Sequence, residues 1–169
     1  PTWLLPIVFI FIIGVLNACN FIDGINGITG LYSFVILSTL YYINQYKIMF
    51  TDINFIIYPV LASLVFLFFN FRKKAKCFAG DVGSMSIALW VLALLGLLVV
   101  KTKDLTYLLF IGVYGIEVIS TIIQRIKLKE NIFEAHRHHL YQLLVNKMKW
   151  SHLLVSGVYG AVQLWINFS

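Results

Sequence analysis

Long apolar stretches alternate with short polar segments along the whole chain. Six stretches are nearly free of charged residues. The length of each is close to the roughly 20 residues that a helix needs to cross a bilayer. They cover residues 3–18, 28–43, 53–71, 82–100, 105–124 and 153–168. The pattern predicts an all-α fold: a polytopic transmembrane helical bundle of about six spans that forms a single membrane domain over 1–169.

Composition supports the same class. Hydrophobic residues make up 60% of the chain and charged residues 12%, with a mean hydropathy of +0.88. Soluble domains carry about a quarter charged residues, so this chain cannot cover a globular surface with solvated groups. A soluble enzyme or free nucleic-acid binder is therefore excluded. The net charge of +6 is compatible with a nucleic-acid partner, but the 13 Lys and Arg residues are confined to polar segments, as a membrane topology requires. We therefore expect contact with membrane lipid and none with nucleic acid.

The basic residues lie mainly on one side of the predicted bundle. Ten of the 13 Lys and Arg residues follow the first, third and fifth spans, and three follow the second and fourth. Because cytoplasmic loops carry an excess of Lys and Arg, we predict cytoplasmic loops at about 19–28, 72–82 and 125–151.

The first of these loops carries polar side chains at intervals of three residues. They are Asn17, Asn20, Asp23 and Asn26, accompanied by Gly24, Gly27 and Gly30. On a helical turn this spacing places amide oxygens and a carboxylate on one face, and glycines let a ligand approach the backbone. The alternative is a solvated turn, for which Asn, Asp and Gly are common.

The second loop contains Phe78-Ala-Gly-Asp81-Val-Gly-Ser84 after four basic residues. The carboxylate of Asp81 suits a hard cation such as Mg²⁺ that is shared with substrate phosphates. Alternatively, Asp81 caps a helix and the basic residues contact anionic lipid.

The third loop holds a histidine cluster, His136, His138 and His139, around Arg137. The guanidinium favours a pyrophosphate ligand. Zinc is the less favoured alternative, because Cys or carboxylate ligands are missing at suitable spacing. A further alternative is that this segment forms a helix on the membrane surface without a catalytic role.

Glu117, inside the fifth span, is assigned a structural or loop-orienting role.

Together these motifs resemble the polyprenyl-phosphate N-acetylhexosamine-1-phosphate transferase family. The loop 17–27 is similar to the family's NxxNxxDGxDG motif, and 78–84 to its FxGDxGS motif. The segment HRHHLYQ most resembles the bacterial branch that initiates O-antigen and capsule synthesis. The resemblance implies transfer of a sugar 1-phosphate from a UDP-N-acetylhexosamine to undecaprenyl phosphate, with release of UMP.

The resemblance also implies residue roles. Asp81 would bind Mg²⁺, with Mn²⁺ as an alternative metal and Asn20 as a second ligand. Arg137 and His139 would hold the diphosphate, with His136 and His138 in the same substrate-binding segment. Phe78 and Asn26 would contact uracil. Asp23 would either position a phosphate or accept a proton.

Two residues depart from the family pattern. Asn26 stands where many bacterial members have a second Asp, and Tyr141 stands where a further His often occurs. The resemblance covers the C-terminal half of the family, whose N-terminal half contributes a Lys and an adjacent pair of Asp residues. We expect the chain alone to be inactive.

The resemblance further implies a bacterial inner membrane location, a cytoplasmic active site and a homodimer.

The competing function is a transporter or channel fragment in which Asp23, Asp81 and Glu117 line a cation path. Such a path predicts ionisable residues near the bilayer midplane. Asp23 and Asp81 fall at the ends of predicted spans, which favours the transferase.

Overall fold

The computed structural model describes residues 3–129 and 139–169, and within these ranges it contains helices and no strands. The all-α prediction is confirmed. The helices are α1 (Leu4–Ile22), α2 (Ile28–Tyr46), α3 (Asn54–Asn70), α4 (Gly80–Thr102), α5 (Gly112–Lys127), α6 (Leu140–Asn146) and α7 (His152–Phe168). A 3₁₀ segment, Leu105–Ile111, leads directly into α5.

Helix α2 is the centre of the bundle. It packs against α7, α3 and α4, while α1 packs against α4 and α5. Aliphatic side chains from α2 and α4 form the core, among them Ile36, Leu40, Leu94 and Leu98. Because α2 is enclosed by protein, its polar residues are tolerated when they find partners inside the bundle.

Gln163 on α7 is the main polar connection inside the bundle. Its side chain is fully buried, and its Oε1 accepts hydrogen bonds from Tyr32 Oη at 2.8 Å and from the backbone N–H of Val113 at 3.2 Å. Tyr32 also stacks on Tyr114, with 3.6 Å between ring centroids. These contacts join α2, α5 and α7 at one level of the bundle.

Three of the described helical stretches are long and apolar enough to cross a membrane: α1, α4 and the continuous stretch Leu105–Lys127. Helix α3 is apolar but shorter, with 17 residues. The prediction of about six spans therefore stays a prediction. Helix α1 continues to Ile22, beyond the predicted span end at residue 18, so Asn17 and Asn20 lie on its last turns.

Lys74 lies in the segment before α4 and Lys101 lies in the last turn of that helix, so α4 separates them. A helix of 23 residues is about 34 Å long, which exceeds the roughly 30 Å of bilayer hydrocarbon. We expect cysteines introduced as Lys74→Cys and Lys101→Cys, in a background without Cys19 and Cys77, to react with a membrane-impermeant maleimide from opposite sides.

The predicted loop assignment places Lys74 on the cytoplasmic side. A Lys103→Cys variant is the matched control, because Lys103 follows the same helix end as Lys101 and must react from the same side. Labelling of residues 74 and 101 from one side would contradict the alternating topology.

Candidate active site

The loop after α1 and the start of α4 meet at one end of the bundle. The half-buried carboxylate of Asp23 accepts a hydrogen bond from Thr29 Oγ1 at 2.6 Å and another from the backbone N–H of Gly80. Nearby, Ser84 Oγ donates to Asn20 Oδ1 at 2.9 Å. Two polar motifs that are separated by more than fifty residues in the sequence are thus in direct contact.

Gly80, the first residue of α4, adopts a left-handed backbone conformation. Gly80 has φ +59°, in the left-handed region where a side chain would be strained. The N–H of this residue points toward the Asp23 carboxylate.

Asp81 is exposed on the first turn of α4. An acid in this position interacts favourably with the positive end of the helix dipole. Its carboxylate also acts on Asp23. Burial raises the pKa of Asp23 above its usual range, and the Asp81 charge adds to that increase. The hydrogen bonds from Thr29 and Gly80 act in the opposite direction. Two carboxylates, one half-buried and one exposed, therefore share this end of the bundle.

Asn70, at the end of α3, joins the same two segments and was missed in the sequence. Its side chain is 5% exposed. Its Oδ1 accepts the backbone N–H of Gly27 at 2.6 Å, and its Nδ2 donates to the carbonyl of Cys77 at 2.7 Å. One amide thus holds the start of α2 beside the segment that leads into α4.

Gly27 itself requires glycine. It has φ +89°, and a Cβ atom there would overlap the ring of Phe71. The loop therefore reaches Asn70 only because its backbone is free of a side chain at this residue.

Asn26 is buried and holds three segments together. Its Nδ2 donates to the carbonyl of Arg72 at 2.8 Å, its carbonyl accepts from Ser156 Oγ at 2.9 Å, and its N–H donates to His152 Nδ1 at 3.3 Å. The structure thus gives Asn26 a packing role, and its predicted contact with uracil stays a prediction.

Phe78 projects from the segment before α4 and is 74% exposed. It lies at the edge of an open, mainly apolar groove of about 570 Å³ between α2, α3 and α4. The lining includes Thr29, which bonds Asp23, and Gly83, which follows Asp81. The exposed ring of Phe78 is accessible to a planar base, and its predicted contact with uracil stays a prediction.

The histidine segment is described only in part. His136, Arg137 and His138 lie outside the described residues. His139 is buried, and its Nδ1 lies 3.4 Å from Thr121 Oγ1 and 3.8 Å from a carboxylate oxygen of Glu117. Its predicted contact with a diphosphate stays a prediction.

Tyr141 is a second residue that the sequence interpretation did not assign to the site. Its Oη donates to the carbonyl of Phe21 at 3.0 Å, next to the Asp23 loop. Burial is the main cause that raises the pKa of Tyr141 to about 12. The hydroxyl therefore remains protonated, and able to donate, at neutral pH.

The match to known proteins follows the same motifs. The family model described as "Glycosyl transferase family 4" matches residues 1–101, a range that contains Asn20, Asp23, Phe78 and Asp81. The chain belongs to glycosyl transferase family 4. The predicted family is confirmed, whereas the O-antigen branch stays a prediction.

Several curated proteins are similar to this family 4 chain. A probable undecaprenyl-phosphate N-acetylglucosaminyl 1-phosphate transferase of Bacillus subtilis is 30% identical over 146 residues, which cover 83% of this chain and 40% of the relative. The phospho-N-acetylmuramoyl-pentapeptide-transferase of Fervidobacterium nodosum is 28% identical over 98% of this chain and 52% of the relative. The phospho-N-acetylmuramoyl-pentapeptide-transferase of Wolbachia sp. subsp. Brugia malayi is 36% identical over 136 residues, which cover 76% of this chain and 39% of the relative. The chain spans about half the length of the curated relatives it matches.

The role of Asn70 in this family 4 site can be tested by substitution. We expect Asn70→Ala to lower both the melting temperature and the transferase rate, because two buried backbone groups lose their partner at a cost of about 1–3 kcal/mol each. Asn70→Asp keeps an acceptor for Gly27 and should be milder. The measurements are thermal unfolding in detergent and transfer rate for the full-length gene product.

The matched control is Asn54→Ala, which changes an exposed asparagine at the other end of the same helix. It should leave both quantities within error. Equal behaviour of Asn70→Ala and Asn54→Ala would contradict the proposed connection between the two segments.

Proposed function

We propose that this chain is part of a membrane enzyme that transfers a sugar 1-phosphate from a UDP-N-acetylhexosamine to undecaprenyl phosphate. The observation that carries the proposal is the contact between the end of α1 and the start of α4, where Ser84 Oγ donates to Asn20 Oδ1 at 2.9 Å. Membership of glycosyl transferase family 4 and the printed names of the relatives, which include undecaprenyl phosphate and N-acetylglucosaminyl 1-phosphate, support it.

The reaction is a displacement at phosphorus. A phosphate oxygen of the lipid attacks the β-phosphorus of the UDP-sugar, and a new P–O bond forms. The bond between that phosphorus and the oxygen bridging to the α-phosphorus breaks, and UMP leaves. Such a reaction requires that the attacking and leaving oxygens are aligned and that the phosphate charge is neutralised.

Asp81 and Asn20 are the residues we assign to Mg²⁺, or to Mn²⁺ in its place. The exposed carboxylate of Asp81 fits a cation that keeps several waters and shares phosphate oxygens. Asn20 Oδ1 accepts one hydrogen bond from Ser84 and retains a second lone pair. When bound, the ion supplies positive charge for the diphosphate.

Asp23 is the proton acceptor in this proposal. Burial raises the pKa of Asp23 above its usual range, which makes this carboxylate a better proton acceptor than an exposed one. Thr29 and the Gly80 N–H keep the carboxylate oriented meanwhile.

The remaining predicted roles complete the proposal. Phe78 stacks on uracil beside Asn26, and the segment from His136 through Arg137 and His138 to His139 binds the diphosphate. The site faces the cytoplasm of a bacterium, and the product initiates a surface polysaccharide such as O-antigen or capsule. Transport is the weaker alternative, because Asp23 and Asp81 lie together at one end of the bundle rather than along a path through it.

Substitution of Asp81 tests the proposal directly. Membranes containing the full-length gene product are supplied with Mg²⁺, undecaprenyl phosphate and, one at a time, radiolabelled UDP-N-acetylhexosamines. Asp81→Asn should reduce labelled lipid product by more than about 100-fold, because it removes the charge that holds the cation.

Asp52→Asn is the matched control, since Asp52 is an exposed acid just before α3, at the opposite helix end from Asn70. It should retain wild-type activity. Full activity in Asp81→Asn would remove Asp81 from the site, and a wild-type protein inactive with every UDP-sugar would refute the proposed function.

Metal removal is a separate test. Treatment with excess EDTA should stop product formation, and addition of Mg²⁺ or Mn²⁺ beyond the chelator should restore it, because a carboxylate site of this kind exchanges its cation with solvent. Calcium added at equal concentration serves as the comparison ion. Transfer that continues at the original rate in EDTA is incompatible with the metal assignment.

A further inference from the structure

Glu117 is a buried acid on α5 that the proposed chemistry does not use. It is 5% exposed, and its carboxylate accepts hydrogen bonds from both α6 and α7. One oxygen accepts the backbone N–H of Tyr141 at 3.2 Å, and the N–H of Leu140 also donates to the carboxylate. The other oxygen accepts from Tyr159 Oη.

Leu140 and Tyr141 are the first two residues of α6. The first backbone N–H groups of a helix have no acceptor within the helix, and a carboxylate beside them is electrostatically favourable. Glu117 therefore fixes the beginning of α6 against α5. Because α6 is only seven residues long, its position depends on such external contacts more than on its own hydrogen bonds.

Tyr141 extends the connection from α6 to the end of α1. Its Oη donates to the carbonyl of Phe21, on the last turn of α1, at 3.0 Å. The same hydroxyl lies so close to Gly24 that a Cβ atom on residue 24 would overlap it. Phe21 and Gly24 flank Asp23 in the sequence, so the tyrosine holds the backbone on both sides of the acid.

The opposite side of the same loop is held by Asn70, which binds Gly27, and by Gly80, which binds Asp23. Neither of these contacts reaches Phe21. If Tyr141 is removed, the loop keeps its attachment to α3 and α4 but loses the one to α6. The contacts at Phe21 and Gly24 therefore make a separate contribution to where the Asp23 carboxylate lies.

We propose that Glu117 and Tyr141 form a positioning pair: Glu117 fixes the start of α6, and Tyr141 transmits that position to the Asp23 loop. Both are positioning residues in this proposal. Glu117 also lies 3.8 Å from Nδ1 of His139, so its substitution affects that histidine too, whereas Tyr141→Phe leaves the contact between Glu117 and His139 in place. The inference rests on the proposed transferase function, because its consequence for rate depends on Asp23 taking part in the reaction. It assigns an intramembrane acid a role in aligning the site rather than in conducting ions.

Four variants of the full-length gene product test the pair. Glu117→Met removes every acceptor while roughly keeping the volume, and Glu117→Gln keeps one oxygen for the α6 N–H groups. Tyr141→Phe removes only the hydroxyl. Tyr32→Phe is the matched control, because it removes another buried tyrosine hydroxyl, one that donates to Gln163 and not to the Asp23 loop.

The kinetic result expected is specific to positioning. With rates normalised to folded protein, Glu117→Met and Tyr141→Phe should each lower kcat about tenfold or more, while KM for the UDP-sugar changes less than about threefold. Glu117→Gln should recover most of the loss. Because both residues act through one contact, the double variant should be no slower than the slower single variant, whereas effects of independent sites multiply.

A second measurement does not depend on activity. Hydrogen exchange of the backbone amides in residues 23–27 should be faster in Tyr141→Phe and in Glu117→Met than in wild type, and unchanged in Tyr32→Phe. If Glu117→Met does not fold, Tyr141→Phe alone decides both measurements.

Wild-type kcat in Tyr141→Phe, multiplicative effects in the double variant, or unchanged exchange at 23–27 would each overturn the positioning pair. These outcomes differ from failure of the proposed function, which is an inactive wild type. In that case the exchange measurement still tests whether Glu117 and Tyr141 hold the loop.

Discussion

The hydrogen bonds of two buried amide side chains determine how the polar end of this bundle is built. Loops enclosed by protein leave backbone N–H and C=O groups that must find partners. Asn70 supplies them to Gly27 and Cys77, and Asn26 supplies one to Arg72. Because these amides hold the loops together, the N–H of Gly80 is close enough to bind Asp23. The two amide side chains therefore fix the loop that carries Asp23 and the segment that leads to Asp81.

Local sequence patterns predicted the helices and the two acid motifs, since charge-free runs and regularly spaced polar residues are visible without tertiary information. The contacts of Asn70 and Tyr141 were not predicted, because their partners lie far along the chain: 43 residues for Asn70 and Gly27, and 120 for Tyr141 and Phe21. Tyr141 was noted only as a departure from the family pattern. Asn70 ends an apolar run and resembles an ordinary polar boundary. The periodicity of apolar residues does not identify a side chain whose hydrogen bonds go to a distant segment of the chain.

Helices α1 and α2 illustrate a second limit of hydropathy. Both were predicted as spans, but of these two helices α1 is long and apolar enough to cross a membrane and α2 is not among the three described stretches that are. Most of the side chains of α1 are exposed, where lipid or further protein can cover them, whereas α2 buries polar residues such as Thr39 and Asn44 inside the bundle. A helix enclosed by other helices needs hydrogen-bond partners for its polar side chains more than it needs an apolar surface. Composition alone does not distinguish such a helix from one on the outside of the bundle.

The attachment of Asn26 to α7 has a consequence for biosynthesis. Ser156, which binds the Asn26 carbonyl, is made 130 residues later, which at about 5–20 residues per second means a delay on the order of ten seconds. During that interval the acid loop has left the ribosome and lacks its last anchor. The contact between Asn26 and α7 therefore forms only after Ser156 has been made, so a nascent chain passes through a stage in which Asp23 and Asp81 are present but the Asn26 loop is not yet attached to α7.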